Sequence, residues 1–126
     1  MNKKHRLKSN LDFKKVFLEG KSAANRQFVI YVLPNQEVEY RIGISISKKL
    51  GNAVVRNRLK RQVRSIIQDK ADQILPKQDI VIIGRKPILE QSYQEMAQSL
   101  YHAMRKAGVL SRHGKRSTLK GDGNVE

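Results

Sequence analysis

The chain has 126 residues, and its 26 Lys and Arg residues against 11 Asp and Glu residues give a formal net charge of +15. This length fits one domain with a real hydrophobic core, and the charge favours a polyanionic partner such as nucleic acid. Because the chain has no cysteine, no apolar run long enough to span a bilayer and no signal-like N-terminus, we exclude disulfides and thiolate metal sites and expect a cytoplasmic protein without membrane contact.

A basic arm, residues 1–8, precedes the first predicted helix. Ser9 with Asp12 three residues later resembles a capping box at the start of this helix, and Gly20 is expected to end it in the left-handed conformation. The spacing of the apolar residues predicts a single stripe on the helix, formed by Phe13, Val16 and Phe17. The two phenylalanines of that stripe are typical of core residues, and the alternative is a platform on which bases stack.

Four segments are predicted to be strands. Residues 21–24 have the weakest strand pattern and are placed at a sheet edge. Residues 27–33 are apolar on both sides, so this strand is expected to be covered on both faces or to border a cleft. Residues 40–47 alternate, with the isoleucines facing inward and a small polar face that could approach a ligand backbone. Residues 79–84 contain a run of β-branched residues, which predicts a central strand that is buried on both faces.

The last predicted helix begins near Ser92, has Glu95 as its capping-box partner and ends at Gly108. Its core stripe is formed by Tyr93, Met96, Ala97, Leu100, Met104 and Ala107. Residues 111–126 are rich in Gly, Ser and cations and almost free of apolar residues, so we expect a disordered tail. The domain is therefore placed at residues 1–110, as a single α+β sandwich of helices on a small mixed sheet.

The most informative stretch is residues 47–64, which contain seven Lys or Arg residues and no acidic residue. From Ala53 onward the apolar residues recur every three or four positions, which predicts a helix, and Asn52 is the expected N-cap. The apolar stripe is formed by Val55, Leu59, Val63, Ile66 and Ile67. The opposite side carries only polar and basic residues, namely Asn57, Lys60, Arg61 and Arg64, with Arg56 and Arg58 beside them.

Such a basic face can simply be solvated. Solvated faces usually mix charges of both signs, however, whereas residues 40–68 contain eight basic residues and no acidic one. Neighbouring like charges on a helix repel by about 0.2–0.5 kcal/mol per pair, so an anionic partner would offset this cost. A phosphate backbone is favoured over a membrane surface, because the helix has no bulky aromatic residue on its apolar side.

The sequence has no recognisable catalytic or metal-binding motif. The three histidines, His5, His102 and His113, have no partner at metal or general-base spacing, and the carboxylates form no pair of the kind that metal-dependent nucleases use. We therefore expect that no side chain of this chain carries out a reaction. The function classes left open are an RNA-binding accessory subunit, a ribosomal or ribosome-assembly protein, and a self-sufficient nuclease.

Several runs of the sequence resemble the protein component of bacterial ribonuclease P. The most specific is Gly51-Asn52-Ala53-Val54 leading into Arg56-Asn57-Arg58, within the longer run from Ser47 to Arg61. Shorter matches follow the expected order and are Arg6-Leu7-Lys8, Asp12-Phe13, Val16-Phe17, Asn25-Arg26 with Phe28, Arg41-Ile42-Gly43 and Ile80 to Pro87. The resemblance covers residues 3–110.

The resemblance implies a fold of about three helices on a mixed four-stranded sheet, ribosomal protein S5 domain 2-like. It also implies a left-handed β-α-β crossover around the basic helix, where the general rule predicts a right-handed one. The implied function is to assist a catalytic RNA that uses Mg²⁺ to cleave the 5′ leader from precursor transfer RNA. Mg²⁺ is then expected to be bound mainly by that RNA, with no cofactor on the isolated protein and no protein partner.

The resemblance further implies which residues bind RNA. The catalytic RNA would contact the basic helix and its approach, through Arg56, Asn57, Arg58, Lys60, Arg61, Arg64 and Lys49. The single-stranded leader would run through a cleft between the first helix and the sheet, lined by Phe13, Phe17 and Tyr31, with phosphate contacts from Lys14, Arg41 and Lys48. For Phe13 and Phe17 the resemblance therefore favours a role in base stacking over a role in the core. No residue is assigned a catalytic role, and direct metal binding by the protein is left open.

Overall fold

The three-dimensional structure is a computed structural model that describes residues 3–111. Within these residues the chain forms three α-helices and four β-strands, in the order α1 (Asn10–Glu19), β1 (Lys21–Ala24), β2 (Phe28–Pro34), β3 (Arg41–Ile46), α2 (Ala53–Asp69), β4 (Gln78–Gly84) and α3 (Tyr93–Ala107). None of the helices in this range has the length and apolar character required to cross a bilayer. The predicted disordered tail lies, from residue 112 onward, outside the described residues.

The four strands form one mixed sheet in the order β1-β2-β4-β3. β4 pairs antiparallel with β2 and parallel with β3. A central position suits β4, because its β-branched side chains are apolar on both faces of the pleat. The predicted mixed four-stranded sheet with three helices is confirmed, as is the strand-helix-strand connection from β3 through α2 to β4. The left-handed sense of that connection stays a prediction.

The two faces of the sheet bury very different amounts of apolar surface. On one face α2 and α3 cover a large core, whose members include Phe28, Ile30, Ile42, Ile80, Ile82, Leu59, Val63, Met96 and Leu100. On the other face α1 covers a small cluster built around Leu7, Val16 and Val81. Because α1 has ten residues against seventeen in α2, it shields less of its face. β2 contributes side chains to both clusters, which agrees with the first of the two predicted alternatives, a strand covered on both faces.

The predicted N-terminal arm is docked on the sheet instead of extending from it. Arg6 forms a parallel bridge with Ile42, and the amide of Leu7 donates to the carbonyl of Ile42 at 2.9 Å. The Leu7 side chain is only 6% exposed, and the His5 ring stacks on Tyr40 with 4.0 Å between ring centroids. The physical reason is that β3 is an edge strand, whose backbone groups need partners on their open side.

The helix caps follow the sequence in most cases. The Asn52 side chain accepts the amide of Val55 at 3.0 Å, and Ser92 and Glu95 form a complete capping box. Gly108 ends α3 with a left-handed φ of 75°. These three ends were predicted because each depends on residues within four positions of one another.

Two predictions about helix ends and faces are wrong. Gly20 ends α1 with an extended backbone, φ −81° and ψ 165°, and glycine is needed there because a Cβ would lie 2.6 Å from the Val16 oxygen and 2.7 Å from the Val32 oxygen. Tyr93, predicted as core, is exposed. Its hydroxyl donates to Ser65 Oγ at 2.7 Å and so links the start of α3 to α2.

Candidate nucleic-acid interface

Helix α2 presents one apolar and one cationic side. Leu59, Val63, Ile66 and Ile67 are buried against the sheet, which turns the predicted RNA-binding residues outward. Asn57, Arg58 and Arg61 are exposed and Arg56, Lys60 and Arg64 are half-buried. We call this side of α2 the cationic face, defined by Arg56, Asn57, Arg58, Lys60, Arg61 and Arg64.

The charges of the cationic face are not neutralised within residues 3–111. None of its five cations is within ion-pairing distance of a carboxylate; the ion pairs of this part of the chain involve Lys4, His5 and Arg41. The first turn of α2 has no acidic residue, although the partial positive charge of a helix N-terminus favours acids there by about 0.3–1 kcal/mol each. The Nε group of Arg56 donates to the Gly51 carbonyl at 3.1 Å, which orients the guanidinium but leaves its charge. An anion bound here would offset the repulsion among the cations and would also interact favourably with the N-terminus of α2.

A groove of about 430 Å³ lies between α1 and the open side of β3. One wall is α1 and the other is β3, and α2 contributes a single side chain, that of Lys60. Its lining residues are Asn10, Phe13, Lys14, Phe17, Ile44, Ser45, Ile46 and Lys60. The groove therefore combines aromatic and aliphatic surface with two ammonium groups from different helices, the combination that a single-stranded nucleic acid requires.

The aromatic side chains of this groove are held by specific contacts. Phe17 is 39% exposed and meets Tyr31 edge to face, with 5.0 Å between ring centroids. Tyr31 packs in the small cluster under α1 and supports Phe17 from below. The Phe13 ring lies directly over Gly43, where a Cβ would come within 2.3 Å of Phe13 Cζ. The three aromatic residues predicted for one cleft are thus close together, with Phe13 and Phe17 in its lining.

We expect Gly43→Ala to disturb the groove and to destabilise the protein by about 1–3 kcal/mol, because the added methyl group overlaps the Phe13 ring. Urea denaturation of the variant measures the loss. The double variant Gly43→Ala, Phe13→Leu should recover most of the stability, since leucine has no ring at that position. Unchanged stability of the single variant would mean that Phe13 moves aside without cost.

Arg41, predicted to contact the leader, has an internal partner. Its Nε and Nη2 atoms donate to the two oxygens of Asp79, each at 2.8 Å, and its Nη1 is 3.9 Å from Asp12 Oδ2. Asp79 is only 6% exposed and also accepts from Asn35 Nδ2 at 2.7 Å. The hydrogen bond to Asp79 raises the pKa of Arg41 above its ordinary value, against the opposing effect of partial burial. Arg41 is therefore part of a buried polar network and does not line the groove.

Two other predicted positions differ in detail. Lys60, assigned to the catalytic RNA, lines the groove together with Lys14. Lys48, assigned to the leader, is exposed in a short 3-10 turn before α2 and does not line the groove. Lys49, assigned to the catalytic RNA, is exposed beside it. Asn10 lines the groove without having been predicted, because its position at the start of α1 gives no chemical signal in the sequence.

The described residues contain no cluster of three or more His, Cys, Asp or Glu side chains arranged to hold a metal ion. His5 Nδ1 is 2.9 Å from the Tyr40 carbonyl oxygen, and His102 Nδ1 is 3.1 Å from Asn25 Nδ2. Both rings thus take part in structural contacts, and His113 lies outside the described residues.

The sequence and the fold of this chain are similar to those of known ribonuclease P proteins. The profile of the family described as Ribonuclease P matches residues 1–108. The ribonuclease P protein component of Geobacillus sp. (strain WCH70) is 54% identical over 113 residues, which are 89% of this chain and 97% of the relative. The solved RNase P protein of Staphylococcus aureus superposes with a TM-score of 0.80 at 42% identity, covering 85% of this chain and 98% of that one. The RNase P protein of Thermotoga maritima gives a TM-score of 0.74 at 34% identity, covering 80% and 96%.

Proposed function

This chain belongs to the ribonuclease P protein family, and on that basis we propose that it is the subunit that helps a catalytic RNA remove the 5′ leader from precursor transfer RNA. The observation that carries the proposal is the position of an unpaired cationic face beside a groove that is lined by Phe13 and by the exposed ring of Phe17. The family match favours this function over the ribosomal or ribosome-assembly role that composition alone left open.

The groove suits a single-stranded leader whose sequence varies. Bases stack on aromatic rings with about 1–3 kcal/mol per base whatever their identity, and Phe17 offers an exposed ring for this purpose. Lys14 of α1 and Lys60 of α2 both line the groove, where their ammonium groups can neutralise leader phosphates. Tyr31 acts as a positioning residue, because it contacts Phe17 rather than the open groove.

The cationic face suits the catalytic RNA. Its exposed guanidinium groups can contact phosphates without first breaking an internal ion pair. Because Lys60 belongs to both surfaces, the leader and the catalytic RNA would approach one another across α2. The protein would then reduce the repulsion between two polyanions and hold them in register.

We propose that Mg²⁺ is held mainly by the RNA. Among residues 3–111 no group of three or more His, Cys, Asp or Glu side chains is arranged to hold a metal ion. In this proposal the protein contributes binding and orientation, and we assign no catalytic residue to it.

Recovery of RNA with the purified protein tests the function most directly. We expect a single RNA species other than ribosomal RNA, and this RNA should cleave precursor transfer RNA when protein and Mg²⁺ are added. Recovery of ribosomal RNA alone would support the ribosomal role instead. Cleavage of precursor by the RNA-free protein would overturn the proposal that the chemistry belongs to the RNA.

Replacement of Phe17 by Ala should weaken binding of the leader-bearing precursor by at least about 1 kcal/mol, or fivefold, because it removes one stacking surface. Binding of mature transfer RNA, which has no leader, should not change. Dissociation constants of the reconstituted complex for both RNAs measure the effect. Leu18→Ala is the matched control, since Leu18 is exposed on the same helix and does not line the groove. Equal weakening for both RNAs would place Phe17 in the core.

A further inference from the structure

The loop between β1 and β2 is firmly attached to α3. The Asn25 side-chain oxygen accepts the amides of Gln27 and Phe28 at 3.0 and 2.8 Å. Its Nδ2 group donates to the Ser99 carbonyl at 2.8 Å and lies 3.1 Å from His102 Nδ1. One side chain thus closes the loop and binds it to the middle of a helix, so the residue at the tip of the loop is held in a fixed position.

Three cations converge on this loop. Arg85 Nη1 donates to the Asn25 carbonyl at 3.1 Å, and Lys106 Nζ donates to the neighbouring Ala24 carbonyl at 2.7 Å. Arg26 follows directly and is exposed. Carbonyl oxygens are neutral, so these bonds fix the positions of Arg85 and Lys106 and leave their charges. Within residues 3–111 none of the three cations is paired with a carboxylate.

Two acids share this surface and offset its charge only in part. Glu90 and Glu95 line a shallow cavity of about 370 Å³ together with Arg26. The carboxylate of Glu95 is already engaged, since its Oε1 accepts the amide of Ser92 at 2.8 Å. Neither acid forms an ion pair among the described residues. Three cations against these two acids leave the loop a surplus of one positive charge.

The loop lies at the same end of the sheet as the start of the cationic face. Gly84 pairs with Ile46 of β3 on one side and with Phe28 of β2 on the other. The basic residues that follow β3 and β4 therefore leave the sheet side by side with the loop, and these are Lys48, Lys49, Arg85 and Lys86. From β3 to β1 the sheet is three strand spacings wide, about 14 Å at 4.8 Å each. A band of cations thus crosses this end of the sheet.

We infer that the surface for the catalytic RNA continues from the cationic face across this end of the sheet to the β1–β2 loop. Arg26 and Lys86 contact the RNA backbone there, and Arg85 and Lys106 hold the loop in place. The identity of the partner as the catalytic RNA rests on the proposed function. Its physical basis is charge complementarity together with continuity with the cationic face, because a phosphate chain that leaves α2 in this direction meets cations at each strand end.

The double variant Arg26→Gln, Lys86→Gln tests the inference in the full-length protein. Both residues are exposed and neither makes a bond that holds the loop, so the fold is retained. Affinity for the catalytic RNA is measured over a range of salt concentrations. We expect the slope of log affinity against log salt to become shallower by about 1.4, at 0.7 per lost phosphate contact. The control Lys77→Gln, Arg105→Gln removes the same charge elsewhere and should leave the slope unchanged.

The outcomes separate this inference from the proposed function. If the variant Arg61→Gln, Arg64→Gln makes the salt slope shallower and the loop variant does not, the loop is outside the interface while the proposed function stands. If neither double variant makes the salt slope shallower, the cationic face itself does not bind the RNA. If the loop variant weakens binding of precursor transfer RNA to the assembled complex, but not of the protein to the catalytic RNA, the loop faces the substrate and the inference is wrong.

Discussion

Replacement of Asp79 by Ala should lower the free energy of unfolding by about 3 kcal/mol, the lower end of the range for breaking a buried ion pair by removing one partner. Asp79 accepts two hydrogen bonds from Arg41 and one from Asn35, so the variant leaves a half-buried guanidinium without its main counter-ion. The lower end is expected because the Arg41 side chain is 26% exposed and Asp12 remains 3.9 Å away. Urea denaturation at neutral pH measures the change.

Glu19→Ala is the control for Asp79. Glu19 is an exposed carboxylate at the end of α1, and its removal should change stability by no more than about 0.5 kcal/mol. A double variant Arg41→Gln, Asp79→Asn should be less destabilised than Asp79→Ala, because it leaves no buried charge unpaired. A loss near 0.5 kcal/mol for Asp79→Ala would mean that water replaces the carboxylate, and that Arg41 is available to RNA after all.

Replacement of Arg58, Arg61 and Arg64 by Gln should reduce affinity for the catalytic RNA by about 100-fold at 0.1 M salt. Each phosphate contact contributes about 0.7 to the slope of log affinity against log salt, so three lost contacts make the slope shallower by about 2. That shift is half of the total slope of about −4 expected for six contacts. Titration of labelled RNA at several salt concentrations gives both quantities.

The matched control for this variant removes three charges that are not part of the cationic face. Lys21, Lys77 and Arg105 are exposed; they lie at the start of β1, before β4 and in the last turn of α3. If the control lowers affinity as much as the α2 variant does, net charge alone governs binding. In that case the geometry of the cationic face is irrelevant.

The parts of this fold that could be predicted are those set by nearby residues. The period of Leu59, Val63 and Ile66 predicts α2 and its buried side, and Asn52 and Ser92 mark the starts of helices through side-chain bonds to amides three residues away. The β-branched run of β4 predicts a central strand. In each case the controlling interactions are local or follow from a simple burial pattern.

The candidate site could be predicted only in part, because it depends on which distant segments become neighbours. Arg41 and Asp79 are 38 residues apart, and nothing in their local patterns pairs them until β3 and β4 are known to be parallel and adjacent. The contact between Phe13 and Gly43 has the same origin. Alternation predicts the outward direction of Gly43, but not the ring that occupies the space its missing side chain leaves.

The docking of residues 6 and 7 on β3 has a practical consequence for handling the protein. Because Leu7 completes the cluster under α1, a truncation that begins after it would remove a core residue that supports α1, one wall of the groove. An affinity tag fused at this end would extend from a segment that is hydrogen-bonded to the sheet, close to the first turn of α1. Recombinant versions intended for RNA titrations are better prepared with residues 3–9 intact and without a tag fused directly before them.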